Sequence, residues 1–105
     1  MSIIYMIEPF QFTTNGMLYQ VKDNGQWREM GEGQIIEINQ AADVIFQKSK
    51  SGEQIDKFVL LGPEVYTEGI KAQIQQKLAI EYGVNDIKIE LKENCAAIFN
   101  EPREE

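Results

Sequence analysis

Two short segments of this chain are apolar on both faces: Ile3-Ile4-Tyr5-Met6-Ile7 and Phe58-Val59-Leu60-Leu61. A strand with one wet face alternates apolar and polar residues, and these segments do not. Each needs cover above and below. A chain of 105 residues suits a single domain with one core. The two segments are therefore expected side by side at the centre of one sheet. The long stretch between them lets them run parallel, joined by a crossover through a helix.

Two Asn-Gly pairs, Asn15-Gly16 and Asn24-Gly25, punctuate the first third. Each can fill the two left-handed positions of a type I′ turn. A turn at Asn15-Gly16 sets Phe12 opposite Tyr19 and Phe10 opposite Val21. A turn at Asn24-Gly25 sets Val21 opposite Arg28 and Tyr19 opposite Met30. The two registers agree on one apolar face of Phe10, Phe12, Tyr19, Val21 and Met30. The other face then carries Gln11, Thr13, Leu18, Gln20, Lys22, Trp27 and Glu29. A three-stranded antiparallel meander is the expectation. Pro9 cannot donate to a ladder, so it marks a bulge or an edge.

Farther on, Ile35-Ile36-Glu37-Ile38 suits a short strand or a helix entry, and Asn39 is a candidate N-cap. Ala42, Ile45 and Phe46 fall on one face of a first helix that ends at Ser51-Gly52. Gly62-Pro63 closes the second doubly apolar strand. A second helix, from Glu64 or Thr67 to Tyr82, presents an Ile70, Ile74, Leu78, Tyr82 stripe and stops at Gly83. Ile80 lies off the stripe, as a single surface apolar residue commonly does. Ile87, Ile89 and Leu91 alternate with Lys88, Glu90 and Lys92, the pattern of a half-exposed edge strand. The fold class expected is α/β, bordering on α+β. The N-terminal antiparallel meander leads into α-β-α-β, with the strands in the order 3-2-1-4-5.

That order of elements resembles the ribonuclease-H-like fold, which is also half of an actin-like fold. The likeness is one of topology and matches no family motif. The resemblance implies, for a catalytic member, carboxylates on the first strand, on the first helix and after the fourth strand, holding two metal ions. The corresponding acids here are Glu8, Asp43 and Glu64. Glu8 comes late in its strand, beside Pro9, and the middle of that strand has no acid. A carboxylate-only, metal-dependent nuclease is therefore a third reading. A net charge of −7 counts against it, because such a surface repels a nucleic-acid backbone.

The chain has no histidine and one cysteine. That excludes Ser-His-Asp and Cys-His catalytic sets and a zinc site built on several thiolates. One cysteine rules out an internal disulfide. Cys95 sits among small apolar residues and reads as inert. Cys95-Ala96-Ala97-Ile98 spells a prenylation box, but Phe99 and further residues follow it. With no basic leader before Ile3 and no long apolar run, the expected setting is cytoplasmic. No cofactor, resident metal, nucleic acid or membrane is expected. The strongest reading is a small acidic protein-interaction module (a regulator, inhibitor or adaptor) that meets a more basic protein.

Its expected contact surface is the solvated meander face, with Trp27 as the anchor and Leu18, Gln20 and Glu29 around it. The strand 87–91 is a second surface, open to a partner strand or a second copy. An alternative from another class uses the turn after residue 61. There Gly62 and Thr67 would hold a phosphate or nucleotide at a helix N-terminus. The turn lacks both GxGxxG and GxxxxGK[ST], Pro63 removes a donor, and Glu64 and Glu68 oppose an anion.

Overall fold

The computed structural model describes residues 2–23 and 33–94, with side chains described over 3–20 and 33–94. Five strands and two helices form one α/β unit. The strands are β1 (Ser2–Pro9), β2 (Asn15–Asp23), β3 (Gln34–Glu37), β4 (Ile55–Leu61) and β5 (Ile89–Lys92). Helix α1 (Ala41–Ser49) joins β3 to β4, after one 3-10 turn at Ile38–Gln40. Helix α2 (Glu64–Tyr82) joins β4 to β5. The sheet order is β3-β2-β1-β4-β5.

The two doubly apolar segments are neighbours, as their composition demands. Tyr5 pairs with Phe58, Met6 with Val59 and Ile7 with Leu60, all parallel. Alternation then sorts them into two clusters. Tyr5, Ile7, Leu18, Phe58, Leu60 and Ile89 meet Ala41, Ala42 and Ile45 of α1 and Ile74 and Leu78 of α2. Ile4, Met6, Val59 and Leu61 form the second cluster, with Tyr19 packed against it. Both helices contribute to the first cluster only. Both crossovers step the same way along the sheet, so right-handedness puts both helices on one face. Each large apolar side chain so buried stabilises the fold by roughly 1.5–3 kcal/mol.

The first hairpin departs from the expected register. Asn15 and Gly16 do not form its turn; they begin β2, and residues 10–14 make the connection. Met6 lies opposite Tyr19 and Ile4 opposite Val21, so β1 is displaced by six residues from the Asn-Gly register. The reason is burial. A turn at Asn15-Gly16 would set Ile7 opposite Asn24 and carry residues 3–6 past the end of β2. The observed register gives every residue of that apolar segment a partner, which outweighs the local turn preference. Gly16 serves a different purpose. A Cβ there would lie 2.7 Å from Ile38 Cδ1 and 3.0 Å from the Glu8 carbonyl oxygen.

Two further expectations are corrected and one open alternative is resolved. Pro9 marks neither a bulge nor an edge strand; it ends a central strand opposite Gly16, beyond the last β1–β4 pair, where its missing N–H costs no ladder bond. Asn39 does not cap α1; it lies in the 3-10 turn, and the N-cap is Gln40 with no side-chain hydrogen bond. Segment 35–38 divides, with Gln34–Glu37 a strand and Ile38 opening the 3-10 turn. Gly83 ends α2 with φ +66°, as read from the sequence. The second Asn-Gly turn, with Trp27, Arg28, Glu29 and Met30, lies outside the described residues.

Candidate functional site

Of the expected meander face, Leu18 and Gln20 lie within the residues whose side chains are described. Leu18 is 6% exposed and sits in the helix-covered core. It is therefore no contact residue; the expectation failed because both faces of this sheet are apolar. Gln20 is half-buried opposite Tyr5. Trp27, Glu29 and Cys95 lie outside the described residues.

The turn after β4 is equally informative. Thr67 is fully buried, and its hydroxyl donates to the Pro63 carbonyl at 3.1 Å. The backbone N–H groups of Tyr66 and Thr67 both reach that carbonyl at 2.9 Å. Gly62 donates its N–H to the Lys92 carbonyl at 2.9 Å. An anion arriving there finds these three backbone donors already engaged. Nucleotide crevices in open α/β sheets lie where successive crossovers leave in opposite directions. Here both step the same way.

Of the three acids singled out by topology, Asp43 is engaged within the fold. Among the described residues no three metal-ligating side chains converge. Asp43 accepts a short hydrogen bond from Tyr82 and lies 3.5 Å from Lys77 Nζ. The Lys77 ammonium also donates to the Asn39 carbonyl at 2.8 Å and faces Glu81 at 3.6 Å. The Tyr82 hydroxyl, helped by Lys77, holds the Asp43 carboxyl below its ordinary range. The same bond pushes the Tyr82 hydroxyl up to about 12. Phe46 stacks on Tyr82 at 4.1 Å between ring centres. This cluster fastens α1 to α2.

At the base of the sheet, where β4 begins, a groove of about 600 Å³ includes Glu53, Asp56, Lys57, Asp86, Lys88 and Glu90 in its wall. It mixes both signs of charge and lies opposite the strand ends where such sheets bind ligands.

The tip of the first hairpin stands out. Thr13 N–H closes a four-residue turn onto the Phe10 carbonyl at 3.3 Å. Phe12 is the third residue of that turn, with φ +66°, a value that turns normally give to glycine or asparagine. Its side chain is 96% exposed. The left-handed backbone costs a residue with a Cβ about 1–2 kcal/mol. Nothing within the described fold repays that cost with burial of the ring.

The surroundings of Phe12 are braced. Phe10 N–H donates to the Asn15 carbonyl at 2.9 Å, and Asn15 N–H reaches Thr13 Oγ1 at 3.3 Å. The Thr14 carbonyl accepts Ile38 N–H at 2.9 Å. Tyr66 of α2 donates its hydroxyl to the Phe10 carbonyl at 3.2 Å. That bond brings the first turn of α2 to the tip, and with it Val65, 94% exposed.

Glu8, Glu37, Glu64 and Glu68 lie on the elements that meet there. Lys92 lies at the same end of the sheet and has a partner of its own.

Sequence reasoning missed Phe12 because placing the turn at Asn15-Gly16 put it inside a strand. Pro9 held the corrective signal, since a strand that stops at proline leaves residues 10–14 as the loop. Val65 was visible as an apolar residue off the α2 stripe. Comparison with family models, with characterised proteins and with solved structures finds no match for this chain.

Proposed function

We propose that this chain is a non-enzymatic protein-interaction module that docks through its hairpin tip, with Phe12 as the anchor and Val65 beside it. The observation that carries the reading is Phe12 itself. A bulky aromatic occupies a backbone position that favours glycine, and its ring is almost wholly solvated. Neither local propensity nor core packing accounts for phenylalanine there. A contact outside the chain does, because a protruding aromatic that enters a partner's pocket is a common source of binding energy.

The partner is a protein with an apolar socket rimmed by cationic side chains. Its charge follows from the four glutamates on the elements that meet at the tip and the chain's net charge of −7. The rigid tip reduces the ordering cost of association. This proposal keeps the interaction-module reading and moves the contact from the Trp27 face to residues that the fold places at the surface. Cytoplasmic residence belongs to the same proposal, supported by the single cysteine. No helix among the described residues is long and apolar enough to cross a membrane.

Photo-crosslinking tests it. A benzophenone amino acid is placed at position 12, and as a control at position 80, an exposed site on α2 away from the tip. The expected result is a discrete adduct from position 12 alone, weakened by added salt, with a partner whose surface is basic. Equal labelling from both positions, or no adduct from position 12, overturns the assignment.

A further inference from the structure

Among the described residues β5 has a strand neighbour on one side only, namely β4. Gly62 N–H reaches the Lys92 carbonyl, so the backbone groups of Lys92 point toward β4. Alternation along a parallel ladder turns those of Glu90 the same way, and those of Ile89 and Leu91 outward. An open groove of about 340 Å³ runs beside this edge, between β5 and Lys71 and Gln75 of α2.

The side chains also alternate. Ile89 is buried against the helix-covered core, and Ile87 and Leu91 pack at its margin. Lys88 and Glu90 are exposed, with Glu90 3.3 Å from Lys57 of β4.

We propose that β5 pairs antiparallel with β5 of a second copy about a two-fold axis at Ile89, setting Lys88 of each chain opposite Glu90 of the other. The occupant is chosen by charge. Centring on Ile89 also opposes Ile87 to Leu91, so apolar residues meet on one face and opposite charges meet twice on the other. The outward backbone groups of Ile89 and Leu91 are those that such a register bonds. Centring on Glu90 instead would oppose Glu90 to itself and Lys88 to Lys92. Centring on Leu91 would keep an opposite-charge pair, Glu90 with Lys92, but would oppose the core-facing Ile89 to Glu93. The first sets like charges together and the second sets a carboxylate against the apolar face, so only the Ile89 register satisfies both faces. The two-fold axis keeps the helices of both copies on one face of a continuous sheet. The surface is separate from the hairpin tip and stands or falls independently of it.

Charge reversal is the test, read by sedimentation equilibrium at physiological ionic strength. The wild-type chain is expected to dimerise with rising concentration. Lys88→Glu and Glu90→Lys should each be monomeric, with melting temperatures that confirm folding. Their equimolar mixture should dimerise again, because Glu then faces Lys at both positions. A wild type that stays monomeric throughout the series, a dimeric Lys88→Glu chain, or a monomeric mixture overturns the proposal. A dimer centred on Leu91 would survive Lys88→Glu. Amide exchange offers a route without substitution. Ile89 and Leu91 N–H groups should gain protection as the wild-type concentration rises; exchange that does not vary with concentration contradicts the register.

Discussion

At the base of the sheet Tyr5 is 2% exposed and donates its hydroxyl to Glu53 at 2.6 Å. Phe58 stacks on its ring at 5.8 Å, and the Lys48 ammonium lies 5.4 Å from the ring centre. At the other end of the same strand, past Pro9, Phe12 stands 96% exposed on a left-handed backbone. Both ends carry an aromatic residue amid charged side chains. At the base, packing, stacking and a hydrogen bond engage the ring; at the tip only the backbone is engaged. An aromatic that serves folding has its partners inside the chain. The contrast marks Phe12 as an aromatic that the described fold leaves uncovered, which is the ground of the docking proposal.

Four substitutions or titrations sharpen this contrast. Phe58→Ala should cost about 3–5 kcal/mol, because it empties the core beside Tyr5. Urea unfolding measures it, and a cost below 1 kcal/mol would mean that the base is as dispensable as the tip. Tyr5→Phe should cost about 1–3 kcal/mol, since Glu53 loses a donor while the ring remains. The loss is smaller because Ser51 also donates to Glu53, at 2.9 Å. Phe12→Gly should instead stabilise the chain, by up to about 1 kcal/mol, through relief of the positive φ. A lowered melting temperature would show that the ring packs within the chain.

The smallest effect is in pH. The folded Asp43 carboxyl titrates below its ordinary value, so its contribution is present above that value and fades as pH falls through the folded pKa. Tyr82 is raised to about 12, so its contribution is complete below 10 and fades as pH rises toward 12. Asp43→Asn should flatten the acid limb of the melting-temperature profile. An unchanged limb would mean that the α1–α2 cluster adds nothing.

The sheet was legible in the sequence where burial dictated it. Two segments apolar on both faces led directly to the parallel β1–β4 pair and the order 3-2-1-4-5. The α2 stripe and its Gly83 terminus followed from helical spacing. The first hairpin was misread because two kinds of signal compete there. Asn-Gly favours a two-residue turn locally, whereas the register that buries residues 3–7 requires a longer loop. Long-range burial prevails, and the misplacement carries Phe12 from tip to strand; Leu18 was misread for a different reason, because the face taken as solvated is the one the helices cover. Alternation along β2 survived, because a shift of six residues preserves each side chain's face.

The most direct test is the affinity of the partner captured at position 12, measured by calorimetry against wild type and Phe12→Ala. The account predicts at least a tenfold loss of affinity, about 1.4 kcal/mol or more, with no loss of thermal stability. Equal affinities for the two chains would contradict it.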